Sequence, residues 1–78
     1  MVQRTVALSF VQEGKKCRVK AIEAGRGLVR RLREMGFNEN VVVEVVKSNG
    51  IRGVIVQLNN SRFALSRGMS MKIIVEEL

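Results

Sequence analysis

The chain has 78 residues, 46% hydrophobic and 27% charged, which is ordinary globular usage and excludes intrinsic disorder and fibrous repeats. This length allows one domain over residues 1–78, and the apolar runs are far shorter than the roughly 20 residues that a membrane-spanning helix needs. Fourteen Lys and Arg against seven Asp and Glu give a net charge of +7, which favours an acidic partner such as nucleic acid, anionic lipid or an acidic protein face.

The first predicted element is a β-strand over residues 16–23. Apolar and charged residues alternate there, which places Cys17, Val19 and Ala21 on a buried face. Cys17 is therefore interpreted as a small core residue, and the sequence has no histidine that would activate it as a nucleophile. The single cysteine cannot form an internal disulfide and the N-terminus lacks the apolar stretch of a secretory signal, so we expect a cytoplasmic protein.

A short amphipathic helix is predicted over residues 28–35, because Leu28, Leu32 and Met35 fall on one helical face. Gly36 is placed to adopt the left-handed conformation just past the end of this helix, which would bring Phe37 back onto Leu32. No Ser, Thr, Asp or Asn precedes the helix as a cap, so a glycine of the segment 25–27 must begin it.

The remaining residues predict two hairpins and a closing strand. The β-branched segment 41–46, the turn-rich segment 48–53 and the alternating segment 54–58 form the first hairpin. Asn59 and Asn60 tolerate positive φ and are predicted to form a two-residue turn into a strand over residues 62–66. After a single helical turn at residues 67–70, the closing strand is predicted to direct Met71, Ile73 and Val75 into the core, alternating with Lys72, Ile74 and Glu76 on the outer face.

Five short strands would leave two long edges exposed to aggregation unless the sheet closes on itself. The sequence therefore predicts an all-β fold, a small SH3-like five-stranded barrel with one short helix between the first and second strands. No low-complexity tract or internal repeat divides the chain into sub-domains.

Five pieces of the chain carry a resemblance to a known family: LSFVQEGKKCRVKAI at 8–22, LVRRLREMGF at 28–37, VVVEVV at 41–46, RFALSR at 62–67 and IIV at 73–75. In these pieces the chain resembles the FeoA family over nearly its whole length, from about residue 8 to residue 76. The family's most specific pattern, an Arg-Leu pair followed by an apolar residue and glycine, is matched by Arg31, Leu32, Met35 and Gly36. Its apolar pair after the second hairpin is matched at residues 64–65. The chain departs from the family at two places. The family often has Pro-Gly where this chain has Glu39 and Asn40, and it often has Ala where this chain has Ser70.

This resemblance implies an SH3-like barrel, a cytosolic location, no catalysis, and association with the membrane ferrous iron transporter that carries a GTP-binding domain. The same barrel is similar to the C-terminal domain of iron-dependent repressors. A repressor-type or nucleic-acid-associated barrel that acts with a separate DNA-binding chain is therefore the alternative, and the fold alone does not choose between the two.

The side-chain inventory argues against an enzyme and against a tight metal site. General acid-base catalysis uses a positioned histidine or paired carboxylates, and here histidine is absent and the carboxylates are scattered. Borderline metals prefer several Cys or His ligands at local spacing, so we expect no cofactor and only weak or transient ferrous iron binding. Met69 and Met71 carry thioethers, but Met71 is assigned to the core. The segment GRGLVR at 25–30 lacks the third glycine of a dinucleotide-binding turn.

Six residues are the candidates for binding a partner: Arg26, Arg30, Arg31, Arg33, Ile51 and Arg52. The four helix arginines form either a solvated face whose stems pack over the barrel or a docking surface for an acidic partner. Nucleic acid is not expected, because the chain has no Trp or Tyr for base stacking. Ile51 and Arg52 occupy the tip of the first hairpin, where Ile51 would be an exposed apolar contact. A weak homo-oligomer is a further partner that the sequence allows.

Overall fold

The computed structural model describes residues 4–78. Its helices and strands, named in chain order, are β1 (Thr5–Ala7), β2 (Lys16–Ile22), α1 (Arg26–Met35), β3 (Val42–Ser48), β4 (Val54–Leu58), β5 (Ser61–Leu65), α2 (Arg67–Ser70) and β6 (Ile73–Glu77). Two 3-10 turns, Leu8–Phe10 and Gly50–Arg52, interrupt the connections. The predicted all-β class is confirmed, and α1 lies between the first two long strands as expected. Within residues 4–78, no helix has the length and apolar character that crossing a membrane requires.

The six described strands form one antiparallel sheet in the order β1-β6-β2-β3-β4-β5. Leu58 pairs with Ser61, so the predicted two-residue turn is present, and its first residue, Asn59, has a φ of 56°. The pairing register shifts once in β2 and once in β3, and such bulges bend and twist a strand. The helical turn α2 joins β5 to β6 and packs against both 3-10 turns.

One hydrophobic core lies against this sheet, and the strands contribute to it by alternation. The residues that are buried in it are Leu8, Val11, Cys17, Val19, Leu32, Phe37, Val43, Val45, Val54, Val56, Leu58, Leu65, Ile73 and Val75. Ala21, expected on the same face as Val19, is exposed instead. The bulge in β2 lies between these two residues and changes which face the following side chains occupy.

Helix α1 begins at Gly25 without a side-chain cap and ends as predicted at Gly36, whose φ is 110°. The Gly36 amide donates to the Arg33 carbonyl and the Phe37 amide donates to the Leu32 carbonyl, both at 3.0 Å. This pair of bonds is a Schellman motif, which satisfies two carbonyls at the helix end. Leu32 and Phe37 are both fully buried, so the turn carries the chain directly from the helix into the core.

Two expectations for the C-terminal strand were wrong. Met71, predicted to face the core, precedes β6 and is exposed, because the backbone of residues 71–72 still follows the α2 turn. Glu76, predicted to alternate onto the outer face, is buried, and Arg18 lies 3.7 Å from its carboxylate on the neighbouring strand. The strand β1 was not predicted, since three residues are too few to show a period of two.

Replacing Leu32 by Ala should lower the free energy of unfolding by about 2 to 5 kcal/mol, because Leu32 is fully buried between α1 and the sheet. That is a large fraction of the stability of a domain this small. Leu78→Ala is the matched control, since Leu78 is 61% exposed and should change the unfolding free energy by less than about 1 kcal/mol. Thermal and urea unfolding followed by circular dichroism measure both; equal effects would show that α1 does not pack on the core.

Candidate partner-binding surface

The arginines of α1 form a stripe on its solvent side. Arg26, Arg30 and Arg33 are spaced by four and then three residues, so they lie on one helical face, opposite the side that buries Leu32. Arg31 lies off this stripe, on the side of the helix towards Met35, and all four arginines are exposed. Among residues 4–78, the ion pair of Arg18 with Glu76 is the only one present, so these arginines have no carboxylate partner within the described chain. We call Arg26, Arg30 and Arg33 the arginine stripe.

The hairpin tip presents Ile51 to solvent on a hydrogen-bonded turn. Ile51 is 84% exposed in the 3-10 turn between β3 and β4. The Asn49 amide donates to the Gly53 carbonyl at 2.9 Å, and the Arg52 amide donates to the Asn49 carbonyl at 3.0 Å. Gly53 has a φ of 122°, and a side chain there would collide with the backbone carbonyl of Leu65. The backbone of the tip is therefore held against the end of β5, with Ile51 exposed.

The six predicted residues form two surfaces, not one. The C-terminal end of α1 lies over Leu58, since a methyl group added at Gly36 would come within 2.8 Å of that side chain. Leu58 ends β4, whereas Ile51 and Arg52 precede its start at Val54. The end of the helix and the tip thus meet opposite ends of the same strand. Ile51 and Arg52 are neighbours at the tip, and each lines a separate surface cavity.

The cavity beside Ile51 contains residues that the sequence did not indicate. It has a volume of about 280 Å³ and is lined by Ser9, Phe10, Gly50, Ile51, Arg67 and Met71. We call it the Phe10 cavity. Phe10 is 72% exposed and Met71 is 46% exposed, so an apolar surface surrounds it. No sequence signal marks this site, because its walls come from three short turns that are far apart along the chain and carry no periodic pattern.

The second cavity contains the predicted residue Arg52. It has a volume of about 240 Å³, and its walls also include Lys47 and Ile55. No Asp or Glu lines it, so the surface around the tip is basic on this side as well. The hairpin tip is thus a second basic surface, separate from the arginine stripe.

Cys17 is fully buried, as predicted, and its thiol is held in the neutral form. Burial raises the pKa of this thiol from 9.0 to about 11, and the negative charge of Glu77 adds to the shift. Met69 packs against the core while Met71 is exposed, so the two thioethers lie in different environments. In the part of the chain that the structure describes, no three His, Cys, Asp or Glu side chains are grouped to hold a metal ion.

Comparison with known families gives one match over almost the entire chain. The model of the FeoA domain matches residues 6–77. A protein of Methanocaldococcus jannaschii provisionally named Fe(2+) transport protein A is 41% identical over 71 residues, which cover 90% of this chain and 84% of that protein.

Solved structures share the fold. An iron uptake regulatory protein (FeoA) crystal structure aligns with a TM-score of 0.90 at 27% identity, over 96% of this chain and all of that one. FeoA of Stenotrophomonas maltophilia in complex with zinc, described as a prokaryotic SH3 domain protein, aligns at 0.77 and 27% identity over 87% and 86% of the two chains. A manganese-dependent transcriptional repressor aligns at 0.89 but at 18% identity, with this chain spanning 44% of its length, and so shows the fold alone.

Stability should fall between pH 9 and pH 11, because the Cys17 thiol keeps its proton to higher pH in the folded protein than in the unfolded chain. Above pH 9 the unfolded chain binds fewer protons than the folded one, so deprotonation favours unfolding. The expected loss is about 1 to 3 kcal/mol, measured by urea unfolding along a pH series. Cys17→Ala is the control, since it removes the thiol. If this variant loses as much stability over the same pH range as the parent, Cys17 is not the cause of the loss.

Proposed function

The chain belongs to the FeoA domain family, and on that premise we propose that it is an accessory protein of ferrous iron transport that works by binding another protein. Its partner in this proposal is the cytosolic GTP-binding part of a membrane ferrous iron transporter, and it acts in the cytosol. The 41% identical relative is named for Fe(2+) transport, and this name supports a role for the chain in ferrous iron transport. The partner itself is our inference from the resemblance and from the surface of the molecule.

The observation that carries the proposal is the arginine stripe. Three exposed arginines follow one helical face and have no carboxylate partner among residues 4–78. Guanidinium groups are weakly hydrated and offer two parallel donors to a carboxylate, which suits them to protein interfaces. A charged surface of this kind increases the rate of association with an acidic partner and fixes its orientation. The stripe therefore fits an acidic protein face.

We propose that the chain performs no catalysis and carries no resident cofactor. The sequence has no histidine, and its single cysteine is a buried, neutral thiol. Ferrous iron would be held only by scattered oxygen ligands, which gives weak binding. Self-association is opposed by a charge of +7 on each copy.

A repressor-type barrel is the second candidate, because the manganese-dependent repressor shares the fold closely. Such a protein needs a helix pair for the major groove of DNA. The helices described here have ten and four residues, and the shorter is a single turn between strands. The family match and the 41% identical relative favour the transport role.

Titration with ferrous iron under anaerobic conditions should reveal no site tighter than roughly 10 micromolar, near −7 kcal/mol. The reason is the ligand inventory, with no histidine and one buried thiol. Calorimetry or competition with a coloured chelator measures this affinity. A stoichiometric submicromolar site would overturn the part of the proposal that excludes a resident metal.

Reversing Arg30 and Arg33 to Glu together should weaken binding to the transporter's cytosolic domain by about tenfold or more, equal to at least ~1.4 kcal/mol. Both residues are exposed, so the melting temperature should stay close to that of the parent. Lys15→Glu with Lys16→Glu is the matched control, because it changes the net charge by the same amount at another exposed site.

The same titrations at low and moderate salt distinguish the two candidate functions. Binding to nucleic acid should collapse as salt rises, because each neutralised phosphate releases counterions. A protein interface with an apolar centre should keep part of its affinity. Tighter binding of the parent to duplex DNA or RNA than to the transporter domain would refute the proposal, and so would equal losses in the Arg30/Arg33 and Lys15/Lys16 variants.

A further inference from the structure

Three of the exposed large apolar side chains meet at the Phe10 cavity. Phe10, Ile51 and Met71 belong to the 3-10 turn after β1, the hairpin tip and the end of α2. Exposed apolar residues that are scattered singly are normal on a protein surface, but a group of them around a concavity indicates a binding site. Chain folding, and not local sequence, has brought these three together.

The walls of the cavity are held by hydrogen bonds and are already in place. The Ser66 hydroxyl caps α2 by accepting from the Met69 amide at 3.2 Å. The Arg67 carbonyl accepts from the Met71 amide at 2.9 Å and from the Ser70 hydroxyl at 3.0 Å, which fixes the turn that exposes Met71. Because α2 packs against both 3-10 turns, the three walls support one another. A preformed site of this kind loses little conformational entropy when it is occupied.

One wall residue has an unsatisfied polar atom. The Ser9 hydroxyl oxygen is buried and is the only such side-chain atom without a hydrogen-bond partner in residues 4–78. An unpaired buried polar group is unfavourable, because it has lost its hydrogen bonds to water and has gained none within the protein. Ser9 lines the Phe10 cavity, and a serine hydroxyl can turn between staggered rotamers to reach an acceptor that arrives there.

The charge at the cavity selects an acidic occupant. Arg67 is exposed, lines the cavity and forms no ion pair in the described chain. No Asp or Glu is among the lining residues. A second copy of this chain would bring another +7 against this surface, so self-association is disfavoured. An anionic bilayer would satisfy the charge, but its flat surface neither fills a concave site nor suits a recessed hydroxyl such as Ser9.

We propose that the Phe10 cavity is an anchor site for a short acidic segment of a partner protein. One large apolar side chain of that segment enters between Phe10, Ile51 and Met71, a neighbouring carboxylate pairs with Arg67, and a backbone carbonyl accepts from Ser9. This inference deepens the proposed function, on which it rests for the partner. It adds an apolar contact at the hairpin tip to the electrostatic contact at the arginine stripe.

The test uses short synthetic peptides as probes, so that it does not depend on the transporter. The first peptide has a central Leu-Phe pair flanked by glutamates, the second has the same glutamates with serines at the centre, and the third has the Leu-Phe pair flanked by lysines. Amide NMR spectra of the full chain should shift at residues 9–10, 50–52, 67 and 71 with the first peptide. The affinity for the second and third should be at least about tenfold weaker.

Ile51→Ser and Arg67→Glu should each weaken binding of the first peptide by about tenfold. Val42→Ser and Lys15→Glu are the matched controls, because Val42 is a 41% exposed apolar residue and Lys15 an exposed cation, and neither lines the Phe10 cavity. Ser9→Ala should weaken peptide binding by about threefold while leaving the melting temperature unchanged or higher, since it removes the unpaired hydroxyl. A merely structural serine would lower stability without changing peptide affinity.

Each outcome decides the proposal. It is overturned if the peptide shifts map to α1 or spread over the surface, if all three peptides bind alike, or if the matched controls weaken binding as much as Ile51→Ser. The variants are also tested for binding to phosphatidylserine vesicles. If Ile51→Ser and Arg67→Glu weaken vesicle binding more than they weaken binding of the first peptide, the cavity binds a membrane surface instead. If the transporter domain binds and Ile51→Ser leaves that binding unchanged, the proposed function stands and the anchor site fails. If the peptide binds as expected and the transporter domain does not, the anchor site stands and its partner is a different protein.

Discussion

The packing of Leu32 and Phe37 into the core is the interaction on which the charged surface of this protein depends. Both side chains are fully buried, and the Schellman turn at Gly36 joins them over a few residues. Phe37 also contacts Phe63 of β5, with ring centroids 5.8 Å apart and planes tilted by 58°. Because one face of α1 is held in this way, the opposite face has to point to solvent. The arginine stripe is the consequence, and its direction is set by apolar contacts that involve no arginine.

A second set of constraints shapes the hairpin tip and the region around it. The segments around the tip are short turns, Leu8–Phe10, Gly50–Arg52 and Arg67–Ser70. The side chains at those turns, Phe10, Ile51 and Met71, stay exposed because the hydrogen bonds of the turns fix the backbone. Two contacts hold the hairpin tip in place: the Gly53 carbonyl accepts a hydrogen bond from the Asn49 amide, and the Gly53 backbone lies close to Leu65. The exposed apolar side chains of this region are therefore a consequence of how the turn backbones are fixed.

The same architecture serves proteins with different roles, as the likeness to both FeoA proteins and a metal-dependent repressor shows. Function in such a fold depends on the surface that each chain builds over it. Here the surface is basic, with exposed arginines on α1 and apolar side chains at the hairpin tip. The family relationship rests on the sequence match along nearly the whole chain, and the proposed mode of action rests on these side chains.

The sequence by itself determined the elements with strong local signals. The period of two places Cys17 and Val19 inward, the helical spacing of Leu28, Leu32 and Met35 predicts α1, and Gly36 ends it. These predictions are confirmed because each depends on residues within one or two turns of each other. The six candidate binding residues are exposed or at the surface as expected, but their role as a partner site stays a prediction.

Only the tertiary structure decided which surface residues lie together. The bulge in β2 exposes Ala21, the α2 turn exposes Met71, and the pairing of β6 with β2 buries Glu76 beside Arg18. Contacts between distant segments likewise separate the arginine stripe from the hairpin tip and bring Phe10 to Ile51. Local periodicity carries no information about such contacts, because they depend on strand register and on how short turns pack across the chain.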